Sequence, residues 1–395
     1  MIKIRRLSLN KFTLFLLIVG CIAFSDIDAI CVGAQLLAVA VATLTQLNRK
    51  VLPKYLFNTL VWVGVFSLLC ICSGLWARSN NVTVLSTSIA FVQAGCILLS
   101  VLVLCQTEEM YDVFSKICIV SGIILCIRFI VTVPTSQWGN IRTSMTSGIF
   151  ANNVTAMDLA YNALLVIWIT FIKYKHSIKT QVLSILLTIG FMFVVLMMGT
   201  KKGILIFGIG VIIFYLSQSK NFLKSILRVA IVIVAVYLAY WVLLDVPLIY
   251  QAIGNRVELM IGGMLGETTD GSTRTRLLFI ENALEVFKSN PIFGVGIDGF
   301  RYENHYQFTY SHNNYTELLA NLGITGLVLY YSIFVVYLKK SLLTIRNNAL
   351  PFAILAAMLV TDWSAVSYSS ESKVIWMALL MLPVIFNELK IEDST

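Results

Sequence analysis

Long apolar runs recur along the chain, and they constrain its fold more than any other feature of the sequence. Runs of about 18 or more apolar residues are typical of helices that cross a membrane. Hydrophobic residues fill 58% of the 395 positions and charged residues only 12%, whereas soluble domains carry roughly 25% charged residues. A water-soluble core cannot absorb this excess, so lipid must surround most of the chain. The sequence therefore predicts an all-α, polytopic membrane protein.

The apolar runs predict twelve transmembrane helices. The first run, Phe12–Phe24, follows a basic segment and resembles a signal peptide, but no convincing small-residue cleavage site accompanies it. We therefore interpret it as an uncleaved helix. The predicted spans are 12–24, 30–47, 55–76, 82–105, 113–133, 154–172, 182–198, 203–217, 229–244, 313–338, 350–368 and 374–386. We expect residues 1–395 to form a single integral membrane domain.

Basic residues predict the orientation of these spans. They cluster before span one and after spans two, six, eight and ten, which all lie on the cytoplasmic side if both termini are cytoplasmic. One large hydrophilic loop, 245–311, then lies on the extracytoplasmic side between spans nine and ten. Cations that the positive-inside bias does not require share that side, and we expect them to bind an anionic ligand. They are Arg142, Lys201, Lys202, Arg256, Arg274, Arg276 and Arg301.

The cysteines give no indication of a metal site. All eight lie in apolar runs in the first third of the chain, and the one close pair, Cys70 and Cys72, lacks the spacing of metal ligands. We interpret them as small buried hydrophobic residues.

The stretch "NPIFGVGIDGF" contains Gly294, Gly296 and Gly299 in the spacing of a dinucleotide-binding loop. Such a loop needs a strand before it and a helix opening at its third glycine. Here the preceding residues have helical spacing instead, and an aromatic segment follows. The context predicts an amphipathic helix near 275–288, lying close to the membrane surface and ended by Asn290 and Pro291, and then a tight turn. The apolar positions that repeat at helical spacing are Leu277, Ile280, Leu284 and Phe287.

The sequence "SHNNYTELLANLGITGL" marks the outer end of span ten. Ser311 is a favourable N-cap residue, and His312 and Tyr315 then share one face of the first turn. The free N–H groups and positive dipole end of this helix face the same side as the additional cations.

Four motifs together resemble the superfamily of O-antigen ligases and O-antigen or capsular polysaccharide polymerases. They are "SGIFANNVTAMDLAYN", "GTKKG", "STRTRLLFIENALEVFKSNPIFGVGIDGF" and "SHNNYTELLANLGITGL", and they span about residues 147–330. Two positions depart from the superfamily pattern. Lys202 stands where arginine is usual, and Ile280 where tryptophan is common, while Arg276 is in register with the usual arginine.

This resemblance implies a GT-C-like glycosyltransferase in the bacterial cytoplasmic membrane, with its active site on the extracytoplasmic face. Such enzymes use a polyprenyl diphosphate-linked oligosaccharide, such as one on undecaprenyl diphosphate, without a metal or other cofactor. Besides this donor and the lipid bilayer, the expected partners are a flippase and chain-length regulators, and no nucleic acid. Guanidinium and ammonium groups suit a departing diphosphate, and histidine suits the acceptance of a sugar hydroxyl proton.

The resemblance and the local chemistry together give a set of candidate site residues. The catalytic candidates are His312 and Arg276. The candidates for binding the diphosphate donor are Lys202, Lys201, Arg274, Arg128 and Tyr315, and those for the glycan are Tyr302, Tyr306 and Asn313.

Several of these candidates have a structural alternative. The two neighbouring lysines are equally suited to anchor the end of a span, and the aromatic residues to form an interfacial belt. Arg276 is able to extend to the interface from a helix, and Arg274 competes with it for the same role. Arg128 lies within span five, where a charge needs a partner; Asp158 and Asp362 are the expected ones.

The leading functional hypothesis is a polymerase of lipid-linked repeat units for capsule, O-antigen or exopolysaccharide. A ligase that transfers the glycan to lipid A core or to protein fits the same motifs. A transporter or flippase of the lipid-linked glycan is the alternative from another class, but we find neither repeated halves nor interrupted spans.

Overall fold

The structure is a computed structural model that describes residues 2–49, 52–138, 153–170, 178–217, 222–245, 250, 258 and 271–392. The regular elements of these residues are helices, which confirms the all-α prediction. They are α1 (Ile2–Ala23), α2 (Asp28–Leu47), α3 (Lys54–Cys72), α4 (Asn81–Leu104), α5 (Glu108–Thr132), α6 (Asn153–Trp168), α7 (Ile178–Met197), α8 (Lys201–Ser217), α9 (Phe222–Asp245), α10 (Gly271–Ser289), α11 (Phe300–Glu303), α12 (Asn314–Thr344), α13 (Leu350–Asp362) and α14 (Glu371–Glu392). Short 3-10 turns follow α3 and α5.

Each predicted span overlaps one of the helices α1–α9 and α12–α14. Among the described residues, seven helices are long and apolar enough to cross a membrane, and three shorter apolar segments accompany them, Ser8–Ala23, Thr155–Trp168 and Leu350–Asp362. The chain is thus a multi-pass membrane protein, whereas the side on which each loop lies stays a prediction.

Helix α7 has the surface expected of a helix in lipid. Leu183, Leu186 and Ile189 form an apolar stripe with exposed fractions of 57%, 61% and 60%. Ser184 and Phe191 are buried against the rest of the protein. The apolar face is therefore directed outward, opposite to the arrangement of a helix in a water-soluble protein.

Helix α6 lies in the interior of the bundle, where it packs against α5, α7, α8, α13 and α14. Small residues allow this close packing, because Ala156, Ala160 and Ala163 have no exposed surface. On α8, a Cβ atom at Gly210 would lie 2.3 Å from Cδ2 of Leu164. A Cβ atom at Gly203, near the start of α8, would lie 3.1 Å from the Ala156 carbonyl oxygen, so the start of α8 is also close to α6.

Helix α10 confirms the predicted helix of the large loop, but its buried face differs from the expected one. The buried residues are Phe279, Ala283 and Val286, whereas Leu277 is 49% exposed. The helix packs against α12, and Ala283 and Val286 share a small apolar cluster with Ala320 of that helix. Contact with α12 thus determines which face of α10 is buried. The helical spacing of Leu277 and the other apolar positions did not indicate this face.

The glycine-rich segment forms the predicted tight turn, and this turn packs against an interruption in α12. Gly294 and Gly323 have φ angles of 65° and 66°, in the region that favours glycine. A Cβ atom at Gly294 would lie 2.4 Å from the carbonyl carbon of Asn321, and one at Gly323 would lie 2.3 Å from the Ile292 oxygen. The Ile324 N–H donates to the Pro291 carbonyl at 2.9 Å. The turn therefore fixes α10 to the first part of α12.

Candidate active site

His312 lies directly before α12, and Asn313 is the N-cap of that helix. The Asn313 side-chain oxygen accepts hydrogen bonds from the Tyr315 N–H at 2.9 Å and the Thr316 N–H at 3.1 Å. The prediction that Ser311 caps the helix is wrong, because its hydroxyl donates to the Asn313 carbonyl at 2.9 Å instead. His312 thus precedes the first turn, with a φ angle of 59°. A non-glycine residue in this conformation is held there by its surroundings.

A buried hydrogen-bond network holds the segment before α12. The Glu317 carboxylate accepts from the Ser311 N–H at 2.7 Å and from the Asn321 side-chain amide at 2.9 Å. The Asn321 oxygen in turn accepts from the Phe300 N–H at 2.7 Å. The network connects the His312 segment to the residues that follow the glycine turn, so the imidazole is carried on a fixed backbone.

The imidazole of His312 lies between two aromatic rings. The Phe279 ring stacks on it with centroids 5.9 Å apart and an interplanar angle of 15°. The Tyr310 ring contacts it at 4.4 Å. These contacts leave the histidine partly buried and restrict the rotation of its side chain.

Burial, together with the smaller effect of the charges of Arg276 and Lys202, lowers the pKa of His312 from its usual 6.5 to about 4. Burial and nearby positive charges both disfavour the protonated imidazolium. The ring is therefore neutral at pH 7 and able to accept a proton. The same shift shows that two cations act on the imidazole.

His312, Arg276 and Lys202 line one cavity of about 130 Å³. Arg276 extends from α10, and Lys202 lies in the first turn of α8, where it is 9% exposed. Each predicted pair contributes one residue to the cavity. Lys202 lines it rather than Lys201, and Arg276 lines it rather than the exposed Arg274. A neutral imidazole beside two cations is suited to binding an anion and accepting a proton.

A buried ion pair lines another wall of this cavity. The Lys373 ammonium lies 2.6 and 2.7 Å from the two carboxylate oxygens of Asp362, and 2.8 Å from the Ser367 hydroxyl oxygen. The Tyr331 hydroxyl donates to Asp362 at 2.8 Å. Because its oxygens are engaged by these donors, Asp362 is a structural anion of the site rather than a partner of Arg128.

Asp158 of α6 also lines the cavity, where its carboxylate accepts a hydrogen bond of 2.7 Å from the Trp376 indole. Asp158 is 3% exposed and Trp376 is fully buried. The bond connects α6 to α14, so two cavity residues that are far apart in the sequence are fixed to each other.

The prediction that Arg128 pairs with Asp158 or Asp362 is wrong, and Arg128 is not among the residues that line the cavity around His312. Its guanidinium donates to both oxygens of Asp26, at 3.0 and 2.9 Å, and to the carbonyl of Ala23. Arg128 lies near the end of α5 that meets the connection between α1 and α2, which explains this choice. Its hydrogen bond lowers the pKa of Asp26.

Tyr315 and Asn313, predicted to contact the donor and the glycan, make intramolecular hydrogen bonds and do not line the cavity around His312. The Tyr315 hydroxyl donates to the Leu359 carbonyl at 2.7 Å, and its ring stacks on Tyr331. Asn313 has no exposed surface. Because α12 starts two residues later than Ser311 would place it, Tyr315 is directed toward α13 and Asn313 is the helix cap.

Of the two tyrosines predicted to contact glycan, Tyr302 lies in α11 and Tyr306 lies in the exposed segment that follows this helix. Tyr302 and Tyr306 are 39% and 54% exposed. The Tyr302 hydroxyl is 3.1 Å from the Asn80 amide, so this side chain also fixes the segment to the start of α4. His305 is exposed between them. Arg142, Arg256 and residues 147–152 of the first motif lie outside the described residues.

Lys373 and Ser367 are cavity residues that sequence reasoning did not select. Lys373 lies in the first turn of an apolar helix, where a lysine is typical of an interfacial anchor. Ser367 belongs to a short loop that contains no motif. The available signal was the intramembrane Asp362, which requires a partner. That partner proved to be the lysine at the start of the next helix.

Comparison with known protein families finds a match over residues 183–331, to the family described as O-antigen ligase. The matched region includes Lys202, Arg276 and His312, and it confirms the O-antigen ligase-like resemblance predicted from the motifs. A comparison with curated proteins finds no match.

Proposed function

We propose that the protein is a membrane glycosyltransferase that polymerises polyprenyl diphosphate-linked oligosaccharide repeat units for a surface polysaccharide. The observation that carries this proposal is one cavity lined by a neutral His312 and by Arg276 and Lys202. The site supplies a proton acceptor and two cations, which are the groups that transfer from a diphosphate requires.

In the proposed reaction, an acceptor sugar hydroxyl attacks the anomeric carbon of the donor. A glycosidic bond forms, and the bond between that carbon and the diphosphate oxygen breaks. His312 takes the hydroxyl proton. Arg276 and Lys202 stabilise the negative charge that develops on the departing polyprenyl diphosphate. Lys202 acts as a point charge, whereas Arg276 offers two parallel hydrogen bonds.

The donor also adjusts the basicity of His312. The two cations contribute to the low pKa of the imidazole. A bound diphosphate adds negative charge beside them and therefore raises this pKa toward its ordinary value. The imidazole thus becomes a stronger base when the donor is present.

A ligase is the second candidate, because the matched family is described as O-antigen ligase. The donor chemistry would be identical, and only the acceptor would change from a lipid-linked repeat unit to lipid A core or protein. For both candidates we propose a site on the extracytoplasmic face of the bacterial cytoplasmic membrane. A topology reporter fused after Asp270 should read extracytoplasmic, and a cytoplasmic signal would contradict this location.

Reconstituted protein distinguishes the two candidates. It is supplied with a polyprenyl diphosphate oligosaccharide alone and, separately, with lipid A core as well. A ladder of lengthened lipid-linked glycans from the donor alone supports the polymerase. One transferred product that requires lipid A core supports the ligase. The absence of any transfer from an intact, folded preparation would contradict both.

A further inference from the structure

Two cysteines and a carboxylate from three different helices meet near the ends of α1, α2 and α14. The sulfur atoms of Cys21 and Cys31 are 3.8 Å apart. The Cys31 sulfur is 3.2 Å from a carboxylate oxygen of Glu371. The donor atoms of all three residues lie within 4.8 Å of one another. Both cysteines are buried, at 2% and 5% exposure, and Glu371 is partly exposed.

These distances fit one metal ion. Zinc holds thiolate sulfur at about 2.3 Å, and two sulfurs at a tetrahedral angle are then roughly 3.8 Å apart. The observed separation of Cys21 and Cys31 equals this value. The Glu371 oxygen supplies a third ligand of a type that zinc accepts, and water completes a tetrahedron.

Two glutamines surround the three ligand side chains. The Gln35 side-chain amide donates to the Cys31 sulfur at 3.1 Å and to the Glu371 oxygen at 2.7 Å. The Gln93 amide donates to the Gln35 oxygen, which fixes its orientation. Hydrogen bonds to ligand atoms of this kind orient metal ligands and tune their affinity.

We propose that Cys21, Cys31 and Glu371 bind a zinc ion that fixes the start of α14 to the α1–α2 hairpin. Both thiols release their protons to solvent on binding, and the divalent charge of zinc offsets the two thiolates that result and the Glu371 carboxylate. Glu371 is followed directly by Ser372 and Lys373, which line the cavity of the candidate active site. The zinc would thus connect three helices at a point outside the cavity.

The spacing of the cysteines along the chain conceals this site. Metal motifs in sequence rely on ligands a few residues apart, whereas these three come from α1, α2 and α14. The partly exposed Glu371 gives an ion a route from solvent to the buried sulfurs.

Metal content of the purified full-length protein tests the proposal directly. After incubation with zinc and removal of loosely bound ions, the wild type should retain stoichiometric zinc. Cys21→Ser and Cys31→Ser should each lose it. Cys70→Ser is the matched control, since Cys70 is fully buried and outside the cluster, and it should retain zinc. When cobalt replaces zinc, the wild type should show a thiolate-to-metal absorption band. Cys21→Ser and Cys31→Ser should not show it.

Glu371→Gln tests the site independently of whether the serine variants fold, because it leaves both thiols and the helix packing intact. It should weaken zinc retention, and zinc should raise the unfolding temperature of the wild type but not of this variant. A wild type that retains no zinc, or variants that retain as much as the control, would overturn the proposal. So would a metal-free mass lower by two hydrogens in the wild type and in Cys70→Ser but not in Cys21→Ser or Cys31→Ser, because this pattern would identify a Cys21–Cys31 disulfide.

Discussion

The Lys373 ammonium contacts both carboxylate oxygens of Asp362, at 2.6 and 2.7 Å, in the wall of the cavity that also holds His312. Lys373 follows the loop after α13, and Asp362 is the last residue of α13. The pair therefore closes the short connection between the last two helices, and its integrity sets the position of the whole wall.

Removing one member of this pair should destabilise the protein more than removing both. Asp362→Asn or Lys373→Met leaves one buried charge without its partner, which costs about 3–5 kcal/mol. The double variant leaves no charge behind, so its unfolding temperature in detergent should lie above that of either single variant. A double variant less stable than both single ones would show that the charges themselves, rather than their balance, maintain the fold.

His312→Ala should lower the rate of glycan transfer by about 10²–10⁴, the usual effect of losing a general base. The expected result in cells is accumulation of unpolymerised lipid-linked units at normal expression. His305→Ala is the matched control, because His305 is exposed and lies in the same extramembrane segment. Glycan chain length in the two strains is the measurement, and full-length polymer with the His312 variant would assign the ring a structural role.

Arg276→Ala should reduce transfer by about 10²–10³, by analogy with loss of one donor to a developing negative charge. Arg274→Ala should have little effect, because Arg274 is exposed. Turnover by the two purified variants compares neighbouring residues of identical charge. Arg276→Lys separates charge from geometry: wild-type turnover in that variant would exclude a requirement for the guanidinium fork.

The pH profile should report the low pKa of His312. The active form of His312 is the neutral imidazole, and kcat/KM reports the pKa of this group in the free enzyme. This parameter should therefore stay level as the pH falls and decline only near the pKa of about 4. The diphosphate favours the protonated ring, so the acid limb of kcat, which reports the enzyme–donor complex, should lie at higher pH. An acid limb of kcat/KM at the ordinary value of 6.5 would contradict the influence of burial and the two cations.

Gly323→Ala should destabilise the attachment of the glycine turn to α12. The φ and ψ angles of 66° and −163° lie in a region that is essentially restricted to glycine and cost an L residue about 1–3 kcal/mol, and the new methyl group would overlap the Ile292 carbonyl. Gly190→Ala is the control, since a Cβ atom there meets nothing within 4 Å. The unfolding temperature should fall for the first variant and not for the second. Equal temperatures would mean that the turn moves away without loss.

The sequence predicts the helices of this protein well, because lipid imposes a minimum length and an apolar composition on each one. It predicts faces and partners less well. The pattern containing Leu277 indicates a helix, but the burial of Phe279 depends on contact with α12, which is distant in sequence. Partner choice is similar: Arg128 selects Asp26 because two helix ends meet in space.

In the candidate site, too, the sequence predicts which residues are present better than which contacts they make. Residue chemistry and the motifs identified His312, Arg276 and Lys202, all of which line the cavity. One shift of the helix start, from Ser311 to Asn313, changed the roles of Tyr315 and Asn313. Lys373 belongs to no motif, since its role depends on contacts with Asp362 and Ser367 that form only in the folded protein.

The walls of the cavity come from helices that are synthesised far apart in time. Asp158 and Lys202 emerge from the ribosome long before Lys373 and Trp376, which belong to the last helix. Since a chain is made from its N-terminus, the cavity has no complete wall until α14 has inserted and Trp376 has bonded to Asp158. A translation product that stops after α12 would already carry His312, Arg276 and Lys202 into the membrane, yet it should be inert. If the protein has the proposed glycosyltransferase activity, we therefore expect incomplete chains not to consume lipid-linked sugars during biosynthesis.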